Sequence, residues 1–159
     1  IRFAPEPGDL EYLRTFKFED LTFRGTIEYR SSCCQPIRDV MTVAALHVGL
    51  SDRLPDLEEL LRSDHVIYKQ GYNAAELQHL LSKRELPGFL DQKQVSAQLI
   101  RIVQLAEEGL RRRGLGEEIL LAPLMARAEA CTNPARQMIE GLEKGIPMEH
   151  FIRDYAEVI

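Results

Sequence analysis

Three things are scarce in this chain: long apolar runs, positive charge and cysteine. No stretch approaches the roughly 18 consecutive apolar residues that a membrane-crossing helix needs, so no spanning helix is expected. Lys and Arg number 20 against 25 Asp and Glu, a net charge of -5. A general basic footprint for nucleic acid is therefore absent, although a local basic patch is not excluded. Cysteine occurs only at Cys33, Cys34 and Cys131, which makes neither a disulfide framework nor a spaced zinc site. An odd count fits a reducing cytoplasm. No signal-peptide pattern opens the chain, and no repeat or low-complexity tract runs through it. What is present is 45% hydrophobic residues in 159. A compact chain of that size buries about 68–70% of its unfolded surface, enough for a true core.

The chain opens on Ile1, which leads to the expectation of a fragment, a processed product or a partly ordered polypeptide. Residues 1–8 carry two prolines and a glycine and read as a loop. Residues 9–16 read as a short helix capped by Asp9, with Leu10 and Leu13 towards a core. Residues 17–23 lean towards a strand. From Ile37 onwards the pattern is almost wholly helical. Val40, Val43, Ala44 and Leu46 are spaced for a helix over 37–50, and Pro55 starts another through Leu61. Asn73 caps a helix over 74–83. The longest helix begins near Asp91, repeats Val95, Leu99, Ile102, Val103, Ala106 and Leu110 at three and four residues, and stops at Gly114. A helix over 117–130 is expected to kink or restart at Pro123. Asn133-Pro134 opens the next, Gly145 closes it, and Ile146-Pro147 opens the last, to about Glu157.

The segment from Gly25 to Pro36, GTIEYRSSCCQP, concentrates the chemistry. It alternates as a strand does, with Thr26, Glu28, Arg30 and Ser32 towards one side and Ile27 and Tyr29 towards the other. One face thus offers an acid and a base about 6.6 Å apart along the strand. Pro36 ends the ladder, because proline has no N–H to donate. On the local pattern alone, Glu28 and Arg30 read as a charge pair on a solvated sheet face. Two strands cannot make an independent sheet, so further strands are expected from elsewhere in the polypeptide or from a partner chain.

The run TFRGTIEYRSSCCQPIRDVMTVAALHVGL resembles the late strand and following helix of the glutamate–cysteine ligases, also called γ-glutamylcysteine synthetases. That family carries T-[IVL]-E-x-R-S followed by a proline and a helix, and this sequence supplies Thr26, Ile27, Glu28, Arg30, Ser31 and Pro36. GLRRRGLGEEILLAPLMARAEACTNPARQMIEGLEKG is similar to the family's helical tail. The resemblance implies an α+β fold: a mostly helical fragment with a short antiparallel strand pair, part of a glutamine-synthetase-like carboxylate–amine ligase cradle. Residues 1–36 would be C-terminal strands of the catalytic sheet and 37–159 the helical tail, together one incomplete domain. The activity implied is ATP-dependent joining of the glutamate γ-carboxylate to the cysteine amine through a γ-glutamyl phosphate, in glutathione biosynthesis. Glu28 falls on the family's metal-binding glutamate and would hold Mg²⁺, a hard cation that bridges carboxylates to phosphates. Arg30 falls on its phosphate-contacting arginine, catalytic and ATP-binding, where a guanidinium fork stabilises the transferring phosphoryl group. Glutamate, cysteine and ATP would be the partners of the intact enzyme, whose remaining metal carboxylates belong to an N-terminal part not in this sequence. A related ligase with another substrate, a fusion that adds glycine, and a non-catalytic helical interaction module stand as alternatives.

Other residues read more plainly. Arg24 is a turn residue, and Thr26 and Ser32 are polar strand positions. Cys33, Cys34 and Cys131 are structural, since no base stands nearby in sequence. His47 reads as a core histidine, and His65, His79 and His150 lack metal-ligand spacing. Arg111, Arg112 and Arg113 complement the dipole of the longest helix at its end. Tyr68, Gly71 and Tyr72 form either a surface lid or a packed loop.

Overall fold

A computed structural model describes residues 19–21, 27–29, 35–64, 71–72, 74–81, 83 and 85–157. The chain divides into two units, Ile1–Cys34 and Gln35–Ile159, two residues before the expected boundary. In the first, strand β1 (Glu19–Leu21) pairs antiparallel with β2 (Ile27–Tyr29). The register sets Glu19 opposite Tyr29, Asp20 opposite Glu28 and Leu21 opposite Ile27. The expected loop over 1–8 and helix over 9–16 lie outside the described residues.

The second unit is helical. A 3-10 turn, Ile37–Asp39, follows Pro36 and leads into α1 (Met41–Asp52). Helix α2 (Leu54–Ser63) has Pro55 in its first turn, and α3 is Ala74–Leu81. Helix α4 (Gln92–Arg113) starts where the Asp91 side chain accepts from the Lys93 N–H. It ends at Gly114, whose φ of 68° is the left-handed backbone that glycine adopts without strain. A second 3-10 segment, Glu117–Leu121, gives way to α5 (Ala122–Ala130) at Pro123. The helix expected over 117–130 is thus two elements, because proline is accepted in a first turn and not in a helix interior. Helix α6 (Pro134–Glu143) is capped by Asn133, whose Oδ1 accepts from the Arg136 N–H at 2.9 Å, and α7 is Met148–Ala156.

The α+β expectation is corrected: the architecture is helical. Among its described residues the unit Gln35–Ile159 contains no strand and closes its core from helices alone. The β1–β2 ladder is three residues long on each side. Its two strands are fewer than the three or more a sheet layer needs, and no cradle is formed among the described residues. Alternation over a few residues encodes an extended segment; a sheet layer needs partners that alternation does not supply.

The core lies where α1 and the segment 117–130 meet α4. Ala106, Leu110 and Leu121 are fully buried, joined by Ala45, Val103 and Ala128. Two glycines bring α1 and α4 together. A Cβ on Gly49 would stand 2.8 Å from the carbonyl carbon of Ala106 and closer still to its oxygen. One on Gly109 would stand 2.9 Å from the carbonyl carbon of Gly49. Backbone therefore packs on backbone. Side-chain hydroxyls tie the same elements: Thr42 Oγ1 donates to the Leu120 carbonyl at 2.9 Å, and Ser96 Oγ to that of Ala128 at 2.7 Å. Since the obstructing atoms are backbone, Gly49→Ala or Gly109→Ala should force the helices apart and cost about 3 kcal/mol, the upper part of the overpacking range. Chemical denaturation checks this, and an unchanged midpoint would contradict the close crossing.

Candidate functional site

Glu28 is the central residue of β2 and faces Asp20, the central residue of β1, across the ladder. Directly opposed residues of an antiparallel pair have Cα atoms about 4.5–5.5 Å apart. Like charges directly opposite each other disfavour pairing. Asp20 was not legible as a site residue. Its signal is an acid at the middle of the preceding strand, and only the register shows which residue it meets. Arg30, Thr26, Ser31 and Ser32 lie outside the described residues, as do Cys33 and Cys34. Of the Glu28 and Arg30 pair, the structure describes the backbone of Glu28 alone. Among the described residues, no group of three or more His, Cys, Asp or Glu could hold a metal.

In the helical unit, charge converges on residues 35–39. Arg127 of α5 donates to the Gln35 side-chain oxygen and, at 2.6 Å, to Asp39 Oδ2. This pair is largely buried, with side chains 11% and 16% exposed. Arg38 of the same turn reaches α7. Its two terminal nitrogens donate to both carboxylate oxygens of Asp154, at 2.8 and 3.0 Å, and one also reaches the Asp154 carbonyl at 3.1 Å. The hydrogen bonds from Arg38 hold the Asp154 carboxyl below its ordinary value, and those to Asp154 raise the Arg38 guanidinium above its own. Beside these pairs lies a cleft of about 310 Å³, walled by Pro36, Pro123, Pro134, Met138, Phe151 and Tyr155. A shallower, charged groove of about 370 Å³ runs between α2 and α4, where Arg53 bridges Asp56 at 3.0 Å and Glu108 at 3.3 Å.

The remaining sequence candidates take ordinary places. Arg111 pairs with Glu107 at 2.9 Å and Arg113 with Glu117 at 2.7 Å. Tyr72 stacks on Phe89 with ring centroids 5.4 Å apart, both residues being exposed, and Tyr68 lies outside the described residues. His47 is half-buried in α1 and has an interaction partner. His150 meets the Phe151 ring edge-on. Cys131 is half-buried at the end of α5. No helix among the described residues is long and apolar enough to cross a membrane.

Two outcomes follow from the paired carboxylates. Arg127→Met leaves Asp39 in a nearly buried site without its cation and should cost about 3 kcal/mol. Adding Asp39→Leu should recover most of that loss, and a denaturant double-mutant cycle reads both. The Asp154 carboxyl is depressed in the folded state, so its contribution is complete above the unfolded-state value and is lost as pH falls through the folded one. Asp154→Asn should therefore lower thermal stability at pH 7 and have a shrinking effect as pH falls through the folded-state value, where the wild-type carboxyl also takes up a proton; a pH series of thermal melts reads this.

No family model, curated protein or solved structure matches the chain.

Proposed function

We propose that the chain is part of an ATP-dependent carboxylate–amine ligase that joins the glutamate γ-carboxylate to the cysteine amine through a γ-glutamyl phosphate. The observation that carries this reading is the register of the ladder, which opposes Asp20 to the Glu28 of the Thr26–Ser31 motif. Two oxygen-bearing residues at one position suit Mg²⁺, which takes one or two protein carboxylates and completes its shell with water and phosphate oxygens. Three further features support the reading: the sequence from Thr26 to Pro36, the turn into a helix directly after Pro36, and the helical character of the remainder.

In the proposed reaction Glu28, with Asp20, holds the metal, and Arg30 neutralises charge on the phosphoryl group as it transfers. Mg²⁺ supplies charge compensation for the ATP phosphates when bound. Glutamate, cysteine and ATP are the partners, glutathione biosynthesis the setting and the cytoplasm the compartment. The helical unit contributes no metal cluster among its described residues; its part is structural support.

The test is steady-state and single-turnover kinetics on the full-length protein with glutamate, cysteine, Mg²⁺ and ATP. Glu28→Gln should raise the Mg²⁺ concentration for half-maximal rate about tenfold or more, since one of few anionic ligands is lost. Arg30→Ala should slow phosphoryl transfer by about a hundredfold, as expected for removing a donor aimed at developing charge. Unchanged kinetics in both variants would defeat the site assignment, and absence of dipeptide formation by the wild type would defeat the reaction.

A further inference from the structure

Helix α7 is attached differently from the core helices α1 and α4. None of its residues is buried, whereas α4 buries six. Burial of an apolar face is what normally fixes a helix to its body. Met148 and Ile152 instead point part of their surface to solvent, at 43% and 62% exposure.

Its attachment is made through surface fittings. One is the Arg38 fork, which grips both carboxylate oxygens and the carbonyl of Asp154. The two side chains are 31% and 39% exposed, so water and salt reach the pair. A second is the Phe151 ring, which lies so close to α6 that a Cβ on Gly141 would stand 3.1 Å from Cε1 and closer still to Cζ. Beneath α7 is the cleft whose opposite wall is Pro36, Pro123, Pro134 and Met138. The helix thus lines a cleft of mixed character, with Arg38, Asp39, Arg127 and Gln137 also in its walls, while sharing little of the α1–α4 core.

We propose that α7 is a strap: it lifts from and returns to the Pro36–Pro123–Pro134–Met138 cleft as one unit, fastened by Arg38 and Asp154, while the core around α4 stays folded. Elements with little buried apolar contact open at a fraction of the free energy of global unfolding. A charge-assisted bidentate contact at the surface is the component most weakened by salt. The fastening is thereby separable from the hydrophobic core. Lifting α7 exposes the cleft and frees Arg38, on the turn that Arg127 grips from its other side.

Amide hydrogen exchange on the full chain tests this. Amides of 152–156 should exchange about a hundredfold faster than those of 103–110, as sub-global opening requires. Arg38→Gln and Asp154→Asn should each speed α7 exchange by about tenfold, as loss of a charge-assisted fork implies, and leave 103–110 unchanged. The exchanged pair, Arg38→Asp with Asp154→Arg, should restore most of the protection, and raising salt should speed exchange in the wild type and not in Arg38→Gln. Equal protection of α7 and α4 would overturn the strap. So would α7 exchange indifferent to both single variants, or acceleration of α7 and α4 by the same factor.

Discussion

Everything in the helical unit depends on two helices touching through their backbones. Gly49 of α1 lies against Ala106 and Gly109 of α4, with no room for a side chain at either glycine. This approach lets Ala45, Val103, Leu110 and Leu121 close into one cluster. It also brings Thr42 within reach of the Leu120 carbonyl. A wider crossing would leave gaps that these side chains are too small to fill, and gaps in a core forfeit contacts on every side. Small residues here are what a dense centre requires when the available side chains are mostly alanine and leucine.

Acidic groups are handled in two ways along the chain. In the helical unit, Asp39 and Asp154 are answered by arginines from distant elements, 88 and 116 residues away in sequence. Each pair ties a segment that hydrophobic packing does not hold well by itself. In the first unit, the ladder sets Asp20 against Glu28.

Features written into a few neighbouring residues were legible from sequence. Asp91 near the start of the longest helix, Asn133 as a cap, Gly114 as a stop and Pro123 as a restart depend on local backbone chemistry, and each is found at its position. What required distant partners was not. The Gly49–Gly109 contact depends on how two helices cross, the Arg127–Asp39 and Arg38–Asp154 bridges on topology, and the opposition of Asp20 to Glu28 on register. The α+β expectation failed for the same reason. Alternation from Thr26 to Ser32 carries the promise of an extended segment, but the bulk of the chain encodes helices that bury one another. Of the two site residues named from sequence, the backbone of Glu28 is placed and Arg30 lies outside the described residues.

The corner between α5 and α6 holds one more consequence. Cys131 is the only non-glycine with positive φ among the described residues, at 49°, and that backbone state costs an L-residue about 1–2 kcal/mol. Its thiol is half-buried, so little packing offsets the strain. Glycine or asparagine would hold the same bend more comfortably. The protein therefore carries a latent reserve of robustness at this corner.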